Sequence, residues 1–434
     1  MAKIKPIYMS CEVQRRELNS RLFLAMLAAA RGYTSVITQK VIMRANLPRV
    51  PTGVFWHKTA TVKCAHYFDL AKQHHHRTVA CCEEIINVPD DPVGADYARI
   101  YFDDGAAKNT DLYLAATVLD SRMARQHPFG RVLDVGNTRI ELLRGRNREI
   151  FADPVNELHQ KFGNFILINS PFGLAGSLRS IQHERKEYEA FAAKTESFAD
   201  EYFKERFERE KQGIGTIVEL ARTLSDQGKT VLVRPHPHEN PDTWKELLRD
   251  IPHTAVDDSG AVGPVLIACD ALLQGNCTTG LEAILLDKPV GNFMSAPDQM
   301  LSARLIPALG PENALEQIRE PISGLLDAVR QSLHGIDQPI TSQIIDAFDE
   351  LDPPECELTD LLTTKFLTTS HFGDDKSMER RWPLLDYRSC KLFVRGAAKA
   401  LGIGDVGLVN VGPNIIIIAP AAAMHELQRT APAA

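Results

Sequence analysis

The segment Val231–Pro241 reads VLVRPHPHENP. An apolar, strand-like run ends in a loop carrying an arginine, two histidines and prolines. Arginine and histidine N–H groups meet phosphate oxygens well, so Arg234 and His236 are candidate anion contacts. Pro235 and Pro237 fix the backbone at low entropic cost. The plainer reading is a turn whose histidines cap the next helix. A second segment, Ala268–Pro289, reads ACDALLQGNCTTGLEAILLDKP. Here a strand runs into a Gly/Asn/Thr loop that includes Asn276, and a helix starts near Thr278 to Gly280. Unpaired N–H groups and the helix dipole make such a start an anion site. Thr278 and Thr279 add hydroxyls, and Glu282 lies one turn further, placed to accept from ribose hydroxyls. The plainer reading is a Thr-capped helix without a ligand.

The first half offers carboxylates. A strand over Ile4–Met9 delivers Cys11-Glu12-Val13-Gln14-Arg15-Arg16-Glu17 to its end. Glu12 is a candidate general acid or base, and Arg16 a candidate anion contact. Glu83 and Glu84 end another strand and could face the same cleft. Asn137 and Arg139 sit in a strand-to-helix turn that could touch substrate. A solvated charged loop would explain the same residues. His74, His75 and His76 read as an exposed helix end, and no metal ligand set is assigned. The eight cysteines show no metal-ligand spacing and read as reduced thiols. There is no P-loop, GxSxG, HExxH, or GxGxxG after a strand.

Strands alternating with helices must position these residues, a rhythm that argues for parallel sheets. Strands are expected at Tyr33–Thr38, Thr78–Cys82, Tyr97–Phe102, Leu112–Ala116 and Arg131–Val135. A helix is expected from about Glu17 to Arg31, since Leu18, Leu22, Ala25, Met26 and Ala29 share one face. The second block has strands at Phe165–Asn169, Thr230–Arg234, Val265–Cys269, near Leu272, and at Pro289–Phe293. Arg179–Gln212 reads as long amphipathic helix, and Ile415–Ala423 as a buried strand and turn. The expected domains are 1–150 and 160–310, two parallel-sheet α/β domains, followed by a mostly helical extension over 311–434.

The chain has 434 residues, 44% hydrophobic and 24% charged, ordinary for a globular protein. The formal net charge of -7 argues against nucleic acid as the main partner. No apolar run is long enough to span a bilayer, and no signal peptide is visible.

Taken together, the segments resemble the surface carbohydrate biosynthesis proteins, bacterial glycosyltransferases of the GT-B fold. The resemblance covers about residues 4–295. It rests on EVQRREL, PTGVFWHKT, CCEE, VGNTRIELL, FILINSPFG, RPHP and NCTTGLEAILLDKPV, in that order. It implies two Rossmann-like domains facing a cleft, acceptor in the first and nucleotide-sugar donor in the second. The His-Pro loop and paired hydroxyls are also similar to those of transferases using CMP-activated acid sugars (Kdo and sialic acids) and of CDP-glycerol phosphotransferases. That similarity implies His236, Pro237, Thr278 and Thr279 at the donor phosphate; residue type and position add Arg234, Asn276, Gly280 and Glu282 as donor contacts. Gln274, Cys82, Ile85 and Thr138 depart from the family pattern, where His, Asp, Gly and Pro are usual.

The resemblance implies a metal-independent glycosyltransferase with no bound cofactor. A CMP-sugar is the favoured donor, with CDP- or UDP-linked donors as alternatives. The acceptor would be a glycan or lipid-linked molecule in capsule, lipopolysaccharide or related polysaccharide synthesis. Glu12 would activate it, and His236 would stabilise the departing phosphate. The protein would be cytoplasmic, peripheral to the inner membrane. Two other readings stay open: a non-hydrolysing UDP-sugar 2-epimerase, and a non-catalytic nucleotide-binding protein of envelope assembly.

Overall fold

The computed structural model describes residues 2–195, 200–294, 300–306, 308, 311–368, 376–404 and 406–423. They form two compact units. The first takes Met1–Ala152, Arg330–His371 and Trp382–Ala434, and the second Asp153–Val329 and Phe372–Arg381. Strands are numbered along the chain.

The first unit holds β1 (Lys3–Cys11), β2 (Tyr33–Gln39), β3 (Val54–His57), β4 (Arg77–Cys81), β5 (Leu112–Ala115) and β6 (Val132–Asp134). All six are parallel, in the order β2-β1-β3-β4-β5-β6. β1 is central and buried without a break from Pro6 to Cys11; Ile7, Tyr8 and Met9 are wholly buried. That burial suits a strand covered on both faces. Helix Gln14–Ala29 follows β1 and buries Leu22, Phe23, Leu24, Ala25 and Met26. A fully buried side chain of this size contributes roughly 1.5–3 kcal/mol.

The second unit holds β7 (Ile166–Asn169), β8 (Val231–Arg234), β9 (Thr254–Val256), β10 (Ala271–Gln274) and β11 (Val290–Asn292). These are also parallel, in the order β11-β10-β7-β8-β9. The chain leaves β7 towards β8 and later crosses to β10 on the other side. The gap between the carboxyl ends of β7 and β10 is therefore a topological switch point, where open α/β sheets bind ligands. In the first unit the corresponding point lies between β1 and β3.

Several expectations need correction. Tyr97–Phe102 is not a strand. Asp91 accepts from the Gly94 N–H, Pro92 starts a helix over Pro92–Ala98, and a 3-10 turn follows over Arg99–Tyr101. Aromatic and β-branched residues imitated a strand there, while the cap and proline carried the true signal. Val265–Cys269 belongs instead to helix Val262–Ala268, with Pro264 in its first turn. The sequence reading missed β3 and β9 as strands. Residues after 310 are no separate helical extension. Beyond Arg330 most of them join the first unit, adding β12 (Cys356–Glu357), β13 (Gly407–Gly412) and β14 (Ile415–Ala419). β14 pairs antiparallel with β2, and β13 with β14. The histidine run is not wholly exposed. His76 is buried, accepting from the Gly53 N–H (3.2 Å) with its other ring nitrogen 3.0 Å from the Leu47 carbonyl.

Helix Asp200–Asp226 crosses Phe172 at Gly213, where a Cβ would lie 2.2 Å from the ring. Gly213→Ala is expected to lose about 1–3 kcal/mol through overpacking. Better helix propensity returns at most about 1 kcal/mol, so the net sign is destabilising. Urea denaturation checks this; an unchanged midpoint would show that Phe172 moves freely.

Candidate functional site

In the second unit, three loops leave the carboxyl ends of the adjacent strands β8, β7 and β10. The first is the histidine loop. Its tight turn is fixed by Glu239 N–H donating to the His236 carbonyl (2.8 Å). The His238 N–H donates to His236 Nδ1 (3.2 Å), and the two rings stack 5.3 Å apart. Because Nδ1 accepts, a neutral His236 ring carries its proton on Nε2. Asn240 accepts from the Asp242 N–H and caps the following helix, Pro241–Leu247.

The side chain that organises these loops is one the sequence reading quoted but gave no role. Glu239 is fully buried and accepts from Ser170 Oγ (2.8 Å), the Phe172 N–H (2.7 Å) and Trp244 Nε1 (2.6 Å). It thereby ties the loop after β7 to the loop after β8. Burial raises its carboxyl to about 7, against the donors that favour the charged form. Arg380 donates to the Glu239 carbonyl and pairs with Asp258 (3.1 Å). No local pattern marks Arg380, which is distant in sequence.

Arg234 points elsewhere than expected. Its guanidinium donates to the carbonyls of Ser259 (2.9 Å) and Gly260 (2.6 Å) and pairs with Asp257 (3.4 Å). It braces the ends of β8 and β9.

The loop after β10 opens at the switch point. Thr278 begins helix Thr278–Leu285, whose N-cap, Cys277, makes no side-chain capping bond. The first helical N–H groups are therefore not taken by a cap side chain. Thr279 Oγ1 accepts from Asn169 Nδ2 (2.8 Å), joining the ends of β7 and β10. Gln274 accepts from the Cys277 N–H (2.5 Å). Gly280 makes room for its amide: a Cβ there would lie 3.1 Å from Gln274 Cδ. Asn276 has φ 62; its amide donates to the Met294 carbonyl and accepts from Asn292, both at 2.8 Å. It shapes the loop. Glu282 is 1% exposed, so it sits inside the unit and not at a surface open to ribose. His236, Pro237 and Thr278 are half-buried.

In the first unit, the carboxyl ends of β2, β1, β3 and β4 each deliver charge. Glu12 lies between Lys40 and Lys58, 2.6 Å from each. Lys58 also reaches Glu84 (3.0 Å), and Arg16 bridges Glu84 (2.9 Å) and Glu17 (3.1 Å). Glu17 accepts from the Glu12 N–H (2.7 Å). Arg21 pairs with Glu83 (2.7 Å), and Arg139 lies 4.0 Å from the same carboxylate. Asn137 caps helix Thr138–Leu142 by accepting from the Arg139 N–H.

Burial opposes ionisation of Glu12, but Lys58 and Lys40 prevail and hold it well below the usual carboxylate range. Burial likewise opposes Glu84, which Arg16 and Lys58 hold low. A carboxylate so paired is a weak base, whereas a general base works best near the operating pH. Glu12 pairs with both lysines at the end of β1. Lys40 and Lys58 were not anticipated. Arg16 Nε, Arg21 Nε and Gln39 Nε2 are buried without a protein acceptor, donors of a kind that a bound molecule satisfies.

No family model and no curated protein sequence matches the chain. Solved structures do. A UDP-N-acetylglucosamine 2-epimerase is 12% identical over 80% of this chain and 95% of that one, with a TM-score of 0.50. The wall teichoic acid polymerase TagF is 13% identical over 80% of this chain and 88% of that one, also with a TM-score of 0.50. A UDP-GlcNAc 2-epimerase from Methanocaldococcus jannaschii is 10% identical over 80% and 99%, at 0.48. At such identities the likeness shows the fold: parallel-sheet units of the GT-B class. No helix among the described residues is long and apolar enough to cross a membrane.

Proposed function

We propose that the chain is a glycosyltransferase of cell-surface glycan biosynthesis that takes its sugar from a nucleotide-activated donor held in the second unit. One observation carries this reading. The loops after β8, β7 and β10 share one sheet edge, with a helix start lacking a side-chain cap at its switch point. That arrangement suits a nucleotide phosphate. His236 Nε2, the Thr278 and Thr279 hydroxyls and the helix N–H groups are the donors for charge on the departing phosphate. Such preorganised donors are the usual large electrostatic contribution to transfer. A CMP-linked acid sugar is the favoured donor. The charged edge of the first unit, rich in lysine and arginine, is the acceptor side. A lipid-linked acceptor would place the enzyme at the cytoplasmic face of the inner membrane.

The fold alone does not choose between chemistries, since both an epimerase and a polymerase share it. The experiment is a thermal-shift panel of CMP, CDP, UDP and GDP, followed by donor assays. A ligand at 100 times its dissociation constant adds about 2.7 kcal/mol of stability. CMP is expected to raise the midpoint. His236→Ala is expected to lose about 2–3 kcal/mol of transition-state stabilisation in transfer. Wild-type turnover by that variant would remove His236 from the site. Release of an epimer from a UDP-sugar without acceptor would replace transfer by epimerisation. No shift with any nucleotide would overturn the reading.

A further inference from the structure

Helix Tyr387–Leu401 belongs to the first unit. Asp386 caps it, and Gly402 ends it in the left-handed region at φ 66. Its inner side is Cys390, Phe393, Val394 and Ala397, all buried. Phe393 meets Phe151 with ring centres 5.9 Å apart. Gly396 lets the helix lie on the chain at Ile150, where a Cβ would come within 2.8 Å of the carbonyl oxygen.

At about 100° per residue, the opposite side presents Arg388, Lys391, Leu392, Arg395 and Lys399 within an arc of about 100°. All five are exposed. The helix contains no acidic residue, although the chain as a whole carries a net charge of -7. Among the described residues, none of the four cations forms an ion pair; Lys391 instead lies over the Tyr387 ring at 4.7 Å. Leu392 is 45% exposed within this basic face, and Leu384, just before the helix, is 72% exposed.

Leu384 and Leu392 add apolar surface to this basic face. A polyanion such as nucleic acid would meet the cations but not the leucines. An anionic bilayer meets both: headgroups take the charges, and apolar side chains reach the acyl boundary. We propose that this face docks the protein on an anionic lipid surface. The proposal does not rest on nucleotide binding by the second unit.

The test is co-sedimentation of the full chain with phosphatidylserine–phosphatidylcholine vesicles and with phosphatidylcholine vesicles alone. Retention is expected on the anionic vesicles only, and is expected to fall as NaCl rises from about 0.05 to 0.5 M. Each charge contributes roughly five-fold, so the combined variant Arg388→Gln, Lys391→Gln, Arg395→Gln, Lys399→Gln should bind about 600-fold more weakly. Leu384→Ser with Leu392→Ser should weaken retention several-fold without changing its salt dependence. All six side chains are exposed, so melting temperature and nucleotide response should stay those of wild type. Equal retention on both vesicle types, no retention on either, or full retention of the four-charge variant would overturn the proposal.

Discussion

Arg21→Met is expected to destabilise the first unit by about 3–5 kcal/mol. Arg21 and Glu83 are each 1% exposed at the side chain and lie 2.7 Å apart. The guanidinium also sits over the Trp56 ring, 4.9 Å from its centre. Burial opposes the Glu83 charge, and Arg21 is the first of the cations that hold it low, with Arg139 next. Methionine fills the volume over Trp56 but leaves a carboxylate buried with its remaining ion-pair partner at 4.0 Å. Breaking such a pair costs far more than replacing it whole. Arg21→Met with Glu83→Met is therefore expected to recover most of the loss. Urea denaturation of both variants measures the difference. A single-variant loss below about 1 kcal/mol would mean that Arg139 alone can hold Glu83.

Glu239→Ala is expected to cost about 3–5 kcal/mol in the second unit, because it strands three donors at once. Ser170 Oγ, the Phe172 N–H and Trp244 Nε1 all lose their acceptor. A stranded buried donor costs about 1–3 kcal/mol. The same residue gives a pH signature. Burial raises it to about 7, so the folded chain keeps a proton that the unfolded chain releases near the ordinary carboxylate value. Its contribution is full below that ordinary value and declines as pH rises through about 7. Glu239→Gln should remove this decline, so the stability of wild type relative to the variant falls as pH rises. A constant difference between them from pH 4 to 8 would show that Glu239 titrates alike in the folded and unfolded chain. Because the loops after β7 and β8 depend on it, nucleotide response should fall with the Ala variant.

The donor-side loops were readable because each is local: an apolar run, a stiff or small-residue loop, then a helix start. RPHP and NCTTG carry all three within a dozen residues. Glu239 stood in the same motif, but its work is done on Ser170 and Phe172, which arrive from another strand. Glu12, Glu83, Glu84 and Arg16 could be nominated by type. Their electrostatics could not, because Lys40 and Lys58 reach Glu12 only through the strand order β2-β1-β3. That order also sets the surroundings of Glu12, whose carboxylate lies 2.6 Å from each of two lysines. Arg234 shows the converse, where an arginine beside histidines looked free for phosphate but serves the carbonyls of Ser259 and Gly260. The apolar run Ile415–Ala419 was legible as a strand, whereas glycines at both ends of β13 hid its partner.

That late strand pair bears on synthesis. β2 lies near the start of the chain, and its outer edge is covered by Ile415–Ala419, close to the end. The whole second unit, Asp153–Val329 with Phe372–Arg381, is encoded between them. On the ribosome, the second unit can thus close while the first still waits for its last strand. Until then the β2 edge stands open, with unpaired N–H and C=O groups available to any other strand. A nascent chain stalled or cleaved before residue 415 would carry that edge permanently. Aggregation of such truncated chains, with the second unit still folded, is the hazard that this order of emergence creates.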